Sequence, residues 1–329
     1  MPERWELRQM QSLPLAAKVS MTESRIREWV TEYGEDGVYV SFSGGKDSTV
    51  LLDIVRRMYS GIEAVFVNTG LEYPEIQQFV KTFDNVTILR PKMRFDDVIK
   101  KYGYPVISKD VSNKIYYARK GGDWAMRYVD GTAKMNDANK SRFCVEKYKP
   151  LLQTDFMCAD ACCAVMKKSP AKTFARETGK KPITAQMAAE SKQRTTQWML
   201  KGCNAFESKN PISNPMSFWT EQDVLQYIKQ NGISIASVYG DIVYKDDGKL
   251  YTTGCNRTGC IFCAFGCHLE KEPSRFQRLK QTHPRQYEYC IGGGGYDEDG
   301  IWKPSNDGLG MRHVFDELNK LYGDGFIKY

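Results

Sequence analysis

A short run, Ser43-Gly44-Gly45-Lys46-Asp47-Ser48, has the residue types of a phosphate-binding loop. Adjacent glycines allow backbone N–H groups to approach phosphate oxygens closely, and Lys46 adds a positive charge. A Walker A loop needs four residues between its glycines and Ser or Thr directly after its lysine, whereas Asp47 follows Lys46 here. The run therefore predicts a phosphate site of a class other than Walker A.

The residues on either side of this run predict the elements that must position it. Val38 to Phe42 are β-branched or aromatic and predict a buried strand. From Val50 to Met58 the apolar residues recur at helical spacing, so a helix is predicted from about Asp47. The N-terminal end of that helix favours negative charge, which supports a phosphate ligand at the turn.

Further strands and helices alternate up to about residue 90. Ala64–Val67 and Val86–Leu89 are predicted strands, and a helix is predicted from Pro74, a favoured first-turn residue. The alternation predicts an α/β fold with a doubly wound, mainly parallel sheet and a cysteine-rich C-terminal part. Ligands of such sheets bind beyond the carboxyl ends of strands, where the 43–48 run and Asn68-Thr69-Gly70 both fall.

Beyond residue 102 the apolar pattern is less regular. We predict a loop-rich insertion at 103–145 that closes over the site, a helix at 148–168, a strand end at Ile183-Thr184, a helix capped by Thr220 and Asp223, and an amphipathic helix at 314–321. The predicted domains are an N-terminal helical segment at 1–35, a main domain at 36–270 that contains the phosphate loop, and a C-terminal tail at 271–329.

Composition predicts a globular protein with a moderate basic bias, because 329 residues carry a formal net charge of +7. The N-terminal residues are polar and of mixed charge, and no apolar run reaches membrane-spanning length, so we expect a cytoplasmic protein with no membrane partner. In that setting the ten clustered cysteines favour metal binding or catalysis over disulfides. By spacing alone, one candidate is a zinc site of Cys255, Cys260, Cys263 and Cys267 with His268 adjacent.

Several segments resemble a known family. The 43–48 run is similar to the SGGxDS loop of the PP-loop ATP pyrophosphatase superfamily, which has the adenine nucleotide α-hydrolase fold. Three later segments resemble its phosphoadenosine-phosphosulfate (PAPS) reductase family. Asn68–Glu75 is similar to the family's D-T-G-x-x-x-P-E segment, and Thr184–Ser191 with Arg194 is similar to its T-G-x-R-x-x-x-S…R segment. Asn210–Val224 is similar to its N-P-L-x-x-W-T-x-x-D-V segment. The resemblance covers roughly residues 36–270, and Asn68 departs from the family's Asp.

The resemblance implies a set of nucleotide-binding and catalytic residues. The implied catalytic residues are Lys46, Asp47 and Arg194, with Arg194 as a phosphate or sulfate clamp. The implied nucleotide-binding residues are Ser41, Ser43, Gly44, Gly45, Lys46, Asp47, Ser48, Asn68, Thr69 and Gly70. ATP is the implied nucleotide, together with Mg²⁺.

The cysteines resemble those of one subfamily. Cys162-Cys163-Ala-Val-Met-Lys167-Lys-Ser-Pro170 is similar to the C-C-x-x-R-K-x-x-P stretch of adenylylsulfate (APS) reductases. In that subfamily the Cys-Cys pair and a distant C-x-x-C, here Cys260 and Cys263, hold one [4Fe–4S] cluster. Met166 replaces the family arginine. The zinc alternative stays open, but it leaves Cys162 and Cys163 unexplained.

Two departures decide which activity the resemblance implies. Sulfonucleotide reductases generally have a degenerate phosphate loop, whereas this chain keeps all of Ser43–Ser48, as ATP-cleaving members do. Those reductases also end near a nucleophilic cysteine in an E-C-G-[IL]-H tail, which residues 323–329 do not match, and Cys290 is the one cysteine downstream of the cluster region. We therefore expect an ATP-cleaving enzyme that forms AMP and pyrophosphate and adenylylates an acceptor for sulfur transfer.

Two alternatives remain. One is an APS or PAPS reductase that releases sulfite, with Cys290 or an outside thiol as nucleophile; the other is a non-catalytic nucleotide- and cluster-binding partner in a nucleic-acid-processing complex.

The partners to test are an adenine nucleotide, a sulfur-donor protein or thioredoxin-like reductant, nucleic acid and a second copy of the chain. Basic residues near 167–181 and at Arg275, Arg278, Lys280 and Arg285 are weak support for nucleic acid, since scattered surface charges are usually just solvated.

Overall fold

Helices and strands alternate through the computed structural model of the chain, which describes residues 3–135 and 139–329. The α-helices are α1 (Arg4–Ser12), α2 (Leu15–Tyr33), α3 (Lys46–Met58), α4 (Pro74–Val80), α5 (Phe95–Tyr102), α6 (Lys109–Arg119), α7 (Asp123–Val129), α8 (Ala161–Cys163), α9 (Ser169–Thr178), α10 (Lys192–Lys201), α11 (Glu221–Asn231), α12 (Arg275–Thr282), α13 (Pro284–Ile291) and α14 (Met311–Tyr322). The strands are β1 (Val38–Ser41), β2 (Ala64–Val67), β3 (Val86–Leu89), β4 (Val106–Ile107), β5 (Lys181–Ile183), β6 (Asn204–Ala205), β7 (Ile212–Ser213), β8 (Ile242–Tyr244), β9 (Leu250–Thr252), β10 (Ala264–Phe265), β11 (Gly295–Tyr296) and β12 (Trp302–Lys303).

The central sheet of the described residues has the strand order β3-β2-β1-β5-β7-β6. Every neighbouring pair is parallel except β6 and β7, which are antiparallel. The apolar residues that predict β1 are its core, since Val38 and Val40 are fully buried. The predicted α/β fold with a mainly parallel sheet is therefore confirmed.

The chain divides into two compact units, and each unit is built from several chain segments. The first unit comprises Met1–Asn68, Glu72–Arg90 and Pro170–Gly259. The second comprises Thr69–Leu71, Pro91–Ser169 and Cys260–Tyr329. The divisions at residues 35 and 270 that we expected from the sequence stay predictions.

In the first unit, a buried ion pair joins α2 to the N-terminal end of α11. Lys18 Nζ lies 2.7 Å from Asp223 Oδ2, and the same oxygen accepts hydrogen bonds from the backbone N–H and the hydroxyl of Thr220. Thr220 is the N-cap residue of α11, so the predicted cap is observed. The several donors around Asp223 compensate its burial, which an ion pair alone does poorly.

In the second unit, the segment predicted as a loop-rich insertion at 103–145 instead contains β4, α6 and α7. Ser108 caps α6 by accepting a hydrogen bond from the backbone N–H of Val111, and Gly121 with φ 78° forms the turn between α6 and α7. The predicted helix at 148–168 is also wrong as a continuous element. A 3₁₀ helix at Glu146–Gln153 contains Pro150, and helical structure resumes only at α8.

Hydropathy of the helices agrees with the absence of long apolar runs in the sequence. Within residues 3–135 and 139–329, we find no helix whose length and apolar character would allow it to cross a membrane.

Candidate functional site

The predicted phosphate loop connects the buried strand β1 to the N-terminal end of α3 in the first unit. Gly44 has φ 69°, and a Cβ atom there would lie 2.8 Å from methyl groups of both Ile76 and Val80. Glycine is therefore required at position 44 for backbone conformation and for space. Gly45 is the extended N-cap of α3, which leaves the first backbone N–H groups of that helix directed at the loop.

Two serines close the loop on itself. The Ser48 hydroxyl accepts a hydrogen bond from the Ser43 backbone N–H at 3.1 Å and donates to the Gly45 carbonyl at 2.9 Å. The two hydroxyls, Ser43 Oγ and Ser48 Oγ, are 2.9 Å apart. These contacts hold the loop in one shape before any ligand binds, as a preorganised anion site requires.

Lys46 is buried beside the loop, with only 4% of its side chain exposed. Its Nζ donates a hydrogen bond to the Asn256 carbonyl at 2.7 Å and forms an ion pair with Glu221 at 3.0 Å. Its backbone N–H donates to the Tyr239 hydroxyl, which lies 2.6 Å from Thr258 Oγ1. The ammonium group is thus fixed at the first turn of α3.

Asp47 carries a buried oxygen that the described residues do not satisfy. Its Oδ1 accepts no hydrogen bond from them, and the nearest cation, Lys46 Nζ, is 4.0 Å away. Burial raises the pKa of Asp47, while Lys46 and Arg257 act in the opposite direction. An unsatisfied carboxylate oxygen at a phosphate loop is a fitting ligand for a divalent cation such as Mg²⁺.

Arg194 belongs to the same cluster of charges, and its predicted role as a phosphate or sulfate clamp stays a prediction. It contacts Glu190 one helical turn earlier, and Arg257 Nη1 lies 3.8 Å from the other oxygen of Glu190. Burial and the charge of Arg257 lower the pKa of Arg194, and its interaction with Asp47 acts in the opposite direction. Two guanidinium groups therefore share one carboxylate near Asp47, which leaves capacity for an anionic ligand.

The remaining predicted nucleotide-binding residues lie at strand ends. Ser41 is exposed at the end of β1, and the backbone N–H of Asn68, after β2, donates to the Leu89 carbonyl at 2.9 Å. Thr69 and Gly70 belong to the second unit, where Thr69 Oγ1 accepts a hydrogen bond from the Leu71 backbone N–H at 3.1 Å and Gly70 has φ 74°. Their roles toward a nucleotide stay predictions.

Sequence reasoning missed several residues that surround Lys46 and Asp47. Glu221 could have been named from the sequence, because it directly follows the Thr220 cap in a segment that resembles the family. Asn256-Arg257-Thr258 offers only a weaker signal, namely a polar run between cysteines. Tyr239 carries no signal at all, since only the fold brings it to the loop.

In the second unit, Cys162 and Cys163 lie on α8, and the chain continues as a five-residue π-helix, Ala164–Lys168. Both thiols are half-buried. A hydrogen bond between them raises the pKa of Cys162 and lowers that of Cys163, so negative charge is favoured on Cys163. Lys109 and Lys167 stabilise that charge. π-Helical turns occur often at functional sites.

Cys260 and Cys263 belong to the same unit and directly precede β10. The Cys263 backbone N–H donates to the Cys260 carbonyl at 3.0 Å, and β10 pairs in parallel with β4, which leads to Lys109. Arg275 Nη1 donates to the Cys263 carbonyl at 2.8 Å. Electrostatic interactions connect Cys162 with the other three thiols, so the structure brings together the four cysteines that the sequence predicts as ligands.

The cysteines can be compared with what a zinc ion and a [4Fe–4S] cluster each require of their ligands. Across residues 3–135 and 139–329, no three His, Cys, Asp or Glu side chains are arranged to hold a single metal ion. The Cys267 thiol instead donates to the Ala264 carbonyl, and His268 stacks on Phe326. A [4Fe–4S] cluster makes a different demand, because each of its irons takes one thiolate. Four thiols with cationic neighbours suit that chemistry.

Four of the other cysteines are buried, namely Cys158, Cys203, Cys267 and Cys290. Cys158 and Cys290 are fully buried, and burial raises the pKa of both, to about 12 for Cys158. Cys203 is also buried, with a raised pKa. Cys290, considered as a reductase nucleophile, donates to Met311 Sδ at 3.4 Å inside the core. Its burial contradicts that role, because an attacking thiolate needs access and a lowered pKa.

Comparison with known proteins identifies the family. The family model for the phosphoadenosine phosphosulfate reductase domain matches residues 37–110 and 128–265. An uncharacterized protein of Methanocaldococcus jannaschii is 24% identical over 278 residues, 81% of this chain and 51% of that protein, so the chain spans about half of that relative's length. The crystal structure of a phosphoadenylyl-sulfate (PAPS) reductase from Candida auris, a phosphate complex, aligns with 72% of this chain and 91% of that one, at a TM-score of 0.38 and 14% identity. Because the family model matches more than half of the chain, the chain belongs to the phosphoadenosine phosphosulfate reductase domain family.

Proposed function

We propose that the chain is an ATP-cleaving enzyme that releases pyrophosphate and adenylylates an acceptor. Family membership points more coarsely to an enzyme acting on a sulfonucleotide or transferring an adenylyl group. The observation that carries the finer proposal is the complete phosphate loop. Its two serines close it, and Lys46 is buried beside it, which suits the β- and γ-phosphates that APS and PAPS lack.

The proposed reaction uses the loop to stabilise a leaving group. A lone pair of the acceptor attacks the α-phosphorus of ATP, and the bond from that phosphorus to the bridging oxygen breaks. Pyrophosphate leaves with the electron pair of that bond. The backbone N–H groups at the start of α3 and the Lys46 ammonium stabilise the charge that develops on it. Lys46 exchanges its contacts with Glu221 and Asn256 for phosphate oxygens when ATP binds.

Asp47 and Arg194 are proposed to complete the nucleotide site. Asp47 would hold Mg²⁺ through its unsatisfied Oδ1, and the ion would neutralise charge on the departing pyrophosphate. Arg194, with Arg257 beside it on Glu190, would hold an anionic group of the nucleotide.

Cys162, Cys163, Cys260 and Cys263 are proposed to hold a [4Fe–4S] cluster. Such a cluster supplies a one-electron redox centre whose potential responds to nearby charge, here that of Lys109, Lys167 and Arg275. The acceptor is proposed to receive sulfur from a donor protein after adenylylation, and nucleic acid is one candidate acceptor.

The second candidate function is a sulfonucleotide reductase that releases sulfite. The family match and the four thiols favour it. The reaction needs a thiolate that attacks the sulfonyl sulfur, and the burial of Cys290 means that an outside thiol, such as that of a thioredoxin-like reductant, would supply it.

The test compares ATP and APS on wild type and Lys46→Ala. For wild type with Mg²⁺, we expect a larger thermal shift with ATP than with APS at equal concentration, since ligand stabilisation follows RT ln(1 + [L]/Kd). Lys46→Ala should weaken ATP binding about 10- to 100-fold, because it removes a charge-assisted contact. The exposed Lys245→Ala is the matched control and should bind ATP as wild type does.

Product analysis separates the two candidates. AMP and pyrophosphate formation in the presence of candidate acceptors, lost in Lys46→Ala, would support adenylylation. Sulfite release from APS or PAPS with thioredoxin, together with a thermal shift for APS and none for ATP, would overturn the proposal in favour of the reductase. Tight ATP binding with neither activity would favour the non-catalytic partner role.

A further inference from the structure

A cationic cleft lies in the second unit, apart from the four proposed cluster ligands. It has a volume of about 330 Å³ and is bounded by the ends of α5 and α6 and by the β11–β12 hairpin. Its lining carries five cationic and two acidic side chains, which are Lys100, Lys101, Arg119, Lys120 and Lys303 with Asp297 and Asp299.

Three of these cations have no acidic partner. Among the residues that the structure describes, Lys100, Lys101 and Lys120 form no ion pair, whereas Lys303 is paired with Asp297. Arg119 donates to the Phe156 carbonyl and so anchors the wall rather than offering free charge. The excess of positive charge favours an anionic ligand.

Aromatic rings interleave with these cations. Tyr102, Tyr116 and Trp302 line the cleft and are half-buried. The Nζ atoms of Lys101 and Lys120 lie 5.3 and 5.4 Å from the ring centroids of Tyr102 and Tyr116, and the Trp302 ring packs against His313 at 4.3 Å. Trp302 is fixed by a hydrogen bond from its Nε1 to the Gly310 carbonyl at 2.9 Å. Ammonium groups beside aromatic rings are the combination that contacts phosphates and stacks bases in proteins that bind single strands.

A second cleft shares part of its lining with the first. A cleft of about 480 Å³ shares Lys100, Asp297 and Lys303 with the first, and adds Tyr296, which is 59% exposed. The two neighbouring clefts, here called the groove, together offer more surface than one small ligand needs. A polymer with repeated phosphates and bases fits such a groove better than a free nucleotide does.

We propose that this groove binds single-stranded nucleic acid. Backbone phosphates would contact Lys100, Lys101 and Lys120, and bases would stack on Tyr116 and on the exposed Tyr296. An acidic peptide would also pair with the lysines, but it has no bases to stack on the aromatic rings. The proposal concerns binding alone and does not depend on ATP cleavage.

The test measures binding of a fluorescein-labelled single-stranded DNA 12-mer to the full chain by anisotropy, without ATP, over a range of salt concentrations. The double variant Lys101→Glu/Lys120→Glu should bind at least tenfold more weakly, and the slope of log K against log salt should fall by about 1.4, since each single-strand phosphate contact contributes about 0.7. Tyr116→Leu should lose about tenfold in affinity with an unchanged slope, because it removes stacking and no charge.

The matched control is Lys280→Glu/Arg285→Glu, which reverses two exposed charges in the same unit, outside the groove. It should bind like the wild type; an equal loss in both double variants would mean unspecific attraction and overturn the proposal. Absence of binding by the wild type at low salt would also overturn it. So would a mononucleotide or inorganic phosphate that displaces the 12-mer as well as unlabelled 12-mer does, since the groove would then be a small-anion site.

Discussion

Surroundings rather than residue type decide what each cysteine can do. Cys163 is half-buried, its partner Cys162 donates to it, and cations face it, so its thiolate is favoured. Cys290 is fully buried against Met311, and burial raises its pKa, so its thiol stays neutral. The same side chain is thus a candidate ligand in one place and a small core residue in the other.

The burial of Cys290 predicts how its substitution behaves. Cys290→Ala should lower the free energy of unfolding by about 1 kcal/mol, because a buried sulfur is replaced by a small cavity, and ATP binding should be unchanged. Cys290→Ser should cost more, since a hydroxyl loses its water contacts when buried. Urea unfolding with tryptophan fluorescence measures both. Iodoacetamide should leave Cys290 unmodified in the folded protein; rapid alkylation there, or sulfite release abolished by Cys290→Ala, would contradict this account.

At the scale of elements, the phosphate loop depends on one glycine more than on the other. Gly44 has a left-handed backbone and no space for a Cβ, whereas Gly45 has φ −78°, a value any residue adopts. The approach of α4 to Gly44, through Ile76 and Val80, fixes the loop from behind. The loop shape is therefore a property of β1, α3 and α4 together.

Gly44→Ala should destabilise the protein and damage the nucleotide site. The left-handed backbone costs about 1–2 kcal/mol for a non-glycine residue, and the contacts with Ile76 and Val80 add strain or displace the loop. Gly232→Ala is the control for backbone strain alone, because Gly232 has φ 61° and open space around it. Thermal melts with and without ATP measure both variants. If Gly44→Ala lost no more stability than Gly232→Ala and still bound ATP, the packing argument would be wrong.

The sequence predicts elements well where local signals agree with the fold. β1, α3, β2, α4 and β3 have apolar residues at the spacing of their own type, so their positions follow from the sequence. The helix α6 was missed because its buried side includes Ser112 and Lys114, which hide the apolar stripe. Lys114 is satisfied by Asp110 and the Phe143 carbonyl, a tertiary contact that no local pattern reveals.

Some residues of the candidate sites can likewise be predicted from local sequence, and others cannot. Lys46, Asp47 and the four cysteines stand in short motifs and could be named from the sequence. Tyr239 and Asn256 contact Lys46 from nearly two hundred residues away or more, so only the fold reveals them. The two basic clusters considered from the sequence do not include the cationic groove, whose lysines come from three separated segments.

At the scale of the whole molecule, the charged residues around the phosphate loop come from distant segments of one compact unit, and the four thiols come from distant segments of the other. Lys46 and Arg194 belong to the first unit, and Cys162 and Cys263 to the second. The chain passes between the two units several times. The second unit in particular joins the segments 91–169 and 260–329, and each contributes two of the four thiols.

A cluster held by two such distant segments should stabilise the second unit as a whole, because a metal clip that closes a long loop restricts the unfolded chain. Protein purified without oxygen should contain about four irons per chain, with a broad absorption shoulder in the visible. Cys162→Ser and Cys263→Ser should each lose the iron and lower the melting temperature, while Cys203→Ser, at a buried thiol in the first unit, should keep the iron. Iron analysis, absorption spectra and thermal melts of the anaerobic proteins provide the comparison. Stoichiometric zinc without iron, or full iron content in Cys162→Ser, would rule out the proposed ligands.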